Sequence, residues 1–277
     1  MVGSATLGYR SGTLGSVTTV AVIGDVGGHV DQLRDALGLV GVTDSYWPVD
    51  LEVVQLGDLF GGFDDMAVAE LVGPHVYAGR WIQLLGNWEL EAVGGPTVTS
   101  PQGRCADPEA LQAFSRWHTS GFVRRAATVT SSTGTVGVVS HAGVGYHFWS
   151  HDLNGERDAT QVVARLNSMP LDQVARPGSM FGRPDEGAPG PIWASTSELW
   201  ADWKVCPFPQ IHGHSCAYSQ RGWNAWVPET LRRWATADRG HVTFMPSSKS
   251  SPIIGIDPGL WERSPRRALR PLVFRPS

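Results

Sequence analysis

Two carboxylates in this chain each follow an apolar run and a glycine. Asp25 comes after Val20–Ile23 and Gly24, and Asp58 after Val53–Leu56 and Gly57. Short β-branched runs of this kind read as buried strands. The glycine lets the chain turn sharply, so the acid projects from the strand's C-terminal end. In open α/β sheets that edge is where ligands bind. Three further strand ends carry polar groups in the same way. They are Gly86-Asn87-Trp88-Glu89 after Trp81–Leu85, Ser140-His141-Ala142-Gly143 after Val136–Val139, and His212-Gly213-His214-Ser215-Cys216 after Phe208-Pro209-Gln210-Ile211. Taken singly, a Gly-Asp is often a turn or a helix cap, and a lone buried histidine is often a hydrogen-bonded core residue. Taken as a set, carboxylates, a carboxamide and imidazoles converging on one edge are the donors a pair of divalent cations requires.

In this order the five stretches resemble the calcineurin-like metallophosphoesterases, especially the branch that includes the protein Ser/Thr phosphatases. That pattern runs GDxHG, GDxxDRG, GNHE, SHAG and GHT. The likeness spans Val17 to Leu260. It reads on in Pro191-Ile192-Trp193-Ala194 and Ile254-Gly255-Ile256-Asp257-Pro258-Gly259, which are similar to the family's LW and IDTG segments. The resemblance implies an α/β fold, a four-layer α-β-β-α sandwich. It implies two divalent ions (Mn, Fe, Zn or Mg) bridged by Asp58. Asn87, His141 and His214 would complete one site, and Asp25 would join Asp58 at the other. The implied activity is a metal-dependent phosphohydrolase for a phosphomonoester, phosphodiester or pyrophosphate-type bond, in which a metal-bound hydroxide attacks phosphorus in line.

Several departures from the pattern carry chemistry of their own. The histidine of GDxHG is Gly27, so the Asp25 site is expected to be weak or empty. His29 could swing in as a replacement; its alternative is a surface residue at a helix start. The second histidine of the GHxH variant of the last motif is Cys216, either a thiolate ligand for a softer metal or plain packing. The GNHE histidine that protonates the leaving oxygen is Trp88, and the aspartate that orients it is Gly61. Indole offers only an N–H of very high pKa, so Trp88 cannot act as a general acid. Trp88 is instead a stacking surface for an aromatic or base-bearing substrate, or a bulky wall. The arginines of DRG and RGNHE are Gly62 and Leu85. His29 and His147 are the candidates to replace the acid, with His118 and His151 behind them. Two other outcomes stay open: a degenerate member that binds metal and ligand without hydrolysis, and a centre turned to other biosynthetic chemistry. The expected partner is a small phosphorylated or aromatic molecule. Oligomeric state is not legible.

The elements that must hold these residues can be read from the rest of the chain. Its 277 residues, 42% hydrophobic, are enough for a sizeable core, and 33 glycines and 19 prolines suit many strand-to-loop junctions. A net charge of −4 with no basic run argues against nucleic-acid or membrane-surface binding. Three cysteines point to a reducing compartment, and a cytoplasmic location is expected. No signal peptide or membrane span is expected. Of the twelve tryptophans, seven fall between Trp193 and Trp261. Residues 1–16 read as a loose arm, and residues 17–277 as one metallophosphoesterase-like domain. Strands are expected at Val17–Gly24, Val53–Leu56 and Trp81–Leu85. Helices are expected at Val30–Leu39, from an Asp64 or Asp65 cap through Leu71, at Glu109–His118 and at Asp158–Leu166. Arg124–Thr130 and Thr135–Ser140 flank a turn and read as a hairpin. Pro170–Pro191 reads as an extended loop, and short strands are expected around Phe208–His212, Ala217–Tyr218, His241–Phe244 and Ile253–Ile256.

Overall fold

The computed structural model describes residues 19–98, 105–177, 187–200, 206–219, 222–224, 227–238, 240–247, 250–260 and 268–275. The expected arm lies outside them. The first half alternates strand and helix: β1 (Thr19–Ile23), α1 (Val30–Gly38), β2 (Leu51–Gln55), α2 (Asp65–Tyr77), β3 (Trp81–Leu84), a 3-10 turn (Leu90–Val93), α3 (Pro108–Thr119) and β4 (Val123–Arg124). The hairpin β5 (Ala126–Thr130) and β6 (Val136–Ser140) follows, then α4 (Tyr146–His151), α5 (Ala159–Ser168), α6 (Leu171–Val174) and α7 (Thr196–Trp200). The last part is mostly strand: β7 (Gln210–His212), β8 (Tyr218–Ser219), β9 (Gly222–Trp223), α8 (Glu229–Arg232), β10 (Ala235–Asp238), β11 (His241–Phe244), β12 (Ile253–Gly255) and β13 (Leu272–Phe274).

Two sheets carry the structure. The first has the order β13-β1-β2-β3-β4, and the second β10-β11-β12-β7-β6-β5. Strands β1 to β4 are mutually parallel, with β13 antiparallel on the edge. Side chains alternate across each strand, and the alternation sorts them into layers. Val22, Val54, Leu56 and Leu84 from the first sheet meet Ala127, Val129, Val139, Ile211 and Ile256 from the second. The opposite faces of β1 to β3 (Ala21, Ile23, Val53, Trp81) pack on Leu33 and Leu37 of α1, Val68 and Val72 of α2, and Phe114 and Trp117 of α3. On the second sheet Val242, Phe244 and Ile253 are covered by Leu199, Trp200 and Leu231 of α7 and α8. Helix, sheet, sheet and helix stack in the expected four-layer order.

Some expected elements differ, each for a physical reason. Helix α2 runs past Leu71 to Tyr77 despite Pro74, because Val72 and Val76 sit one turn apart and are both fully buried. Asp64 is the N-cap of α2 but makes no side-chain cap bond. Asp65 works in its place, accepting the N–H groups of Gly61, Gly62 and Asp107. Arg124–Thr130 is not one strand. The chain changes sheets at Arg125, whose N–H leaves the ladder and donates to Asn167 Oδ1 at 2.8 Å. Strands β9, β10 and β13 are not among the expected ones. The stretch read as an extended loop, 170–191, carries α6 at its start, and residues 178–186 lie outside the described ones. No described helix is long and apolar enough to cross a membrane. Cys105 is exposed, and Cys206 and Cys216 are buried.

Candidate metal centre

The polar strand ends meet where the C-terminal edges of the two sheets adjoin. Asp58 stands at the end of β2, Asn87 after β3, His141 after β6 and His214 after β7. One ligand atom each from Asp58, His141 and His214 lies within 4.8 Å of the others. Asn87 Oδ1 points into the same group, 2.9 Å from His141 Nε2 and 2.9 Å from His214 Nδ1. His141 Nε2 is also 3.4 Å from Asp58 Oδ1. Asp25 falls outside this three-residue group. Its two carboxylate oxygens accept the backbone N–H of His214, both at 3.0 Å.

Close backbone contact builds this arrangement. The loop leaving β2 and the loop leaving β3 touch so tightly that a Cβ on Gly86 would sit 2.1 Å from Asp58 N. A Cβ on Gly213 would sit 2.0 Å from Asp25 Oδ1. Side chains at these positions would force the donors apart. Asp58 and His214 themselves adopt φ of 52° and 61°, the left-handed region that non-glycine residues avoid. Such strain persists where the surroundings over-determine it, and it is concentrated at functional sites.

Glu89 supplies much of that constraint. It is fully buried, and its carboxylate accepts N–H groups from Asp58 (3.0 Å), Gly86 (3.1 Å) and Phe60 (3.1 Å). It therefore fastens the Asp58 loop to the Asn87 loop. The backbone N–H of Trp88 adds a bond to Asp58 Oδ1 at 3.1 Å.

The electrostatics follow from burial. Burial raises the Asp25 carboxyl well above the usual range, and the charges of Asp257 and Asp58 raise it further. Burial and then the Glu89 charge raise Asp58. Burial pushes Glu89 up to about 7, against the pull of its N–H donors. The imidazoles move the other way. Burial lowers His141 well below the ordinary histidine value, and His214 to about 4, with neighbouring histidines adding to both. The edge thus gathers carboxylates that lack positive charge and imidazoles held neutral.

That chemistry fits a divalent cation. His141 Nδ1 is 3.0 Å from Leu56 O, so this nitrogen carries the proton and Nε2 presents a bare lone pair. Asn87 Oδ1 then faces a lone pair and the oxygens of Asp58, an arrangement that repels unless a cation lies among them. Turned over, the amide would donate to His141 at 2.9 Å, His214 at 2.9 Å and Asp58 at 3.2 Å. Without a cation the turned amide satisfies this group, and with a cation the carbonyl-inward orientation does. His214 turns Nδ1 toward the group, and its Nε2 is buried with no hydrogen-bond partner among the described residues.

The remaining sequence candidates are not ligands of this group. His29 Nε2 is 2.9 Å from Leu260 O, and its ring packs 4.3 Å from Phe63. The proton of that nitrogen is given to a carbonyl. His147 is exposed on α4, near Tyr146 and His151. Trp88 is half-buried. Cys216 is buried, with its thiol toward Tyr218 O, and it is not part of the metal group. Gly27 and Gly61 lie against each other: a Cβ on Gly61 would sit 2.5 Å from Gly27 O and 2.8 Å from Gly27 Cα. Gly27 and Gly61 thus form a closed contact between the first two loops.

Residues missed from sequence are Glu89, Asp257, Trp193 and Gln55. The rings of Trp193 and His214 stand nearly perpendicular, with centroids 5.8 Å apart. Asp257 is buried and turns on the N–H of Gly259. Gln55 is a lone polar residue inside the apolar run of β2, and Gln83 is its counterpart in β3. A polar side chain interrupting a buried strand was the signal available.

Among known proteins, no family profile and no curated protein matches this chain. Comparison with solved structures finds likenesses. One is the crystal structure of a protein assigned as a diadenosine tetraphosphatase, 15% identical, TM-score 0.42, covering 93% of this chain and 94% of that one. Another is a metallophosphoesterase from Sphaerobacter thermophilus, 15% identical, TM-score 0.40, covering 95% of this chain and 89% of that one. The two-sheet, helix-flanked architecture is the one the sequence resemblance implied.

Proposed function

We propose that this chain is a metal-dependent phosphohydrolase acting on a phosphomonoester, phosphodiester or pyrophosphate-type bond. The observation that carries the reading is the convergence of Asp58, His141 and His214, whose ligand atoms lie within 4.8 Å of one another, beside the Asn87 amide. Asp58, Asn87, His141 and His214 would hold a divalent ion there, which would lower the pKa of a bound water and offset charge on phosphoryl oxygens. Asp58 would hold an ion at this site and, with Asp25, would contribute to a second, weaker one; Mn, Fe, Zn and Mg would all suit such donors. His141 is kept in its ligand tautomer by Leu56 O. Trp88 holds Asp58 through its N–H and presents its indole to the aromatic or base portion of a small substrate. Nothing at Trp88 protonates a leaving group, and His29 Nε2 is committed to Leu260 O. Of the two leading candidates, His147 is the one with an exposed ring.

The test is a series of aryl and alkyl phosphate esters with the protein loaded with Mn²⁺ or Zn²⁺. General-acid catalysis contributes about 10²–10⁴-fold, so its absence should make the rate depend steeply on leaving-group pKa. If His147 supplies the proton, the dependence is shallow and His147→Ala steepens it. No metal uptake at all would end the catalytic reading. Full metal loading without turnover would favour a protein that binds ligand, or performs other chemistry, at the same centre.

A further inference from the structure

Beneath the metal centre runs a buried chain of polar side chains that the proposed reaction does not use. Trp81 Nε1 donates to Gln83 Oε1 at 2.9 Å. Gln83 Nε2 donates to Leu84 O at 2.8 Å and to Gln55 Oε1. Gln55 Oε1 also accepts the N–H of Gly57 at 2.9 Å. Gln55 Nε2 donates to Gly57 O at 2.8 Å and to Gly24 O at 3.1 Å. Gln55 and Gln83 are both fully buried.

The polarity of this chain is fixed. An indole N–H can only donate, so Gln83 turns its oxygen to Trp81 and its NH₂ to Gln55. Gln55 must then accept on Oε1 and donate from Nε2. Both of its donor bonds go to the peptide carbonyls of the residues before Asp25 and Asp58. One rigid amide in the middle strand thus clasps the ends of β1 and β2 where the two carboxylates leave. Fully satisfied buried networks of this kind set one geometry, because any slippage leaves a buried polar group unpaired.

We propose that Gln55 is a positioning residue for the metal centre: it sets the spacing of the Asp25 and Asp58 loops by bonding the Gly24 and Gly57 peptide groups. The proposal rests on the metal reading above. Partners that orient metal ligands from behind typically change metal affinity by about 10–100-fold when removed.

Two substitutions at Gln55 and one at Gln83 separate positioning from plain core damage. Gln55→Glu keeps the shape but replaces the donor to Gly24 O and Gly57 O with an acceptor. Gln55→Asn keeps the amide but is one methylene too short to reach both loops. Gln83→Leu leaves Trp81 Nε1 unpaired in the same core, yet leaves the Gln55 bonds to both glycines in place. Mn²⁺ affinity of each folded variant is measured by calorimetry, alongside thermal stability without metal. Both Gln55 variants should bind Mn²⁺ about tenfold or more weakly, whereas Gln83→Leu should lose stability and keep its affinity. Wild-type affinity in either Gln55 variant overturns the proposal. An equal affinity loss in Gln83→Leu also overturns it, since general loosening would then suffice. If the wild-type protein takes up Mn²⁺ and the Gln55 variants match it, only this inference fails. If the wild-type protein takes up none, the metal reading fails with it.

Discussion

Asp58 has more demands on it than any other residue at the sheet edge. It faces His141 and Asn87, holds a left-handed backbone, and lies against the glycine that precedes Asn87. Asp25 is held by one backbone N–H from the His214 loop. Asp58→Asn should therefore abolish metal uptake and any activity more completely than Asp25→Asn, as elemental analysis of the purified variants would report. Equal loss in the two would argue against a shared carboxylate. The neighbouring departures from the phosphatase pattern are equally concrete. Restoring an aspartate at Gly61 places a Cβ against the backbone of Gly27, which cannot yield as a flexible side chain would. Gly61→Asp should cost about 1–3 kcal/mol, read as a lowered urea midpoint. Trp88→His, at a half-buried position, should fold normally. A Gly61→Asp variant as stable as the parent would show that the first two loops can separate.

At the scale of elements, the side chains that start helices differ in what they do. Asp158 caps α5, accepting the N–H of Thr160 at 2.8 Å and of Gln161 at 3.0 Å. Asp158→Ala should cost about 1 kcal/mol. Asp64 occupies the cap of α2 without a side-chain bond, so Asp64→Ala should change stability little. Asp65→Ala strands three N–H groups, two of them in the loop after Asp58, and should be the most costly of the three. Chemical denaturation of the three variants gives the order; Asp64→Ala as the worst would overturn this account of the α2 start. Helix α2 also separates pattern from packing. Its proline and its weak apolar stripe argue for an early stop, but the burial of Val72 and Val76 carries it on to Tyr77.

For the whole molecule, the buried charges set a pH dependence whose sign depends on metal. Glu89 titrates near 7 in the folded chain, and Asp25 and Asp58 are raised as well. A carboxyl raised on folding stabilises the protein below its unfolded pKa, and that stability is lost as pH rises through the folded value. The depressed histidines, with His212 and His214 near 4, act oppositely: their burial is unfavourable at low pH and harmless above the unfolded value near 6.5. The two sets offset each other from about pH 4 to 6.5. Above that only the carboxylates remain. Metal-free protein should lose stability on going from pH 6.5 to 8, and Mn²⁺ should remove the loss by favouring the charged carboxylates. Denaturation curves with chelator and with Mn²⁺ check both halves. Metal-free stability that rises over this interval would contradict the burial of unpaired acids.

The sequence by itself determined the strands that end in polar groups and the order of those ends. Apolar runs stopping at glycine are a local signal, and Asp25, Asp58, Asn87, His141 and His214 could be named because each stands beside one. The helices α1, α3 and α5 were legible for the same reason, from apolar spacing and a start signal within a few residues. What the chain does between sheets is not local. The crossing at Arg125 depends on Asn167, forty-two residues on, receiving its N–H. The contact that closes Gly27 on Gly61 joins two loops whose sequences say nothing of each other. Gln55 read as one more residue of a strand, since its importance lies in two carbonyls it meets only after β1 and β2 pair. Glu89 was quoted as part of a motif without a task, and only the folded chain shows the three N–H groups it gathers. Periodicity and turn chemistry are written along the chain, so they can be read there. Hydrogen-bond partners, buried charge and close backbone contact exist only between segments, so the tertiary structure alone decides them.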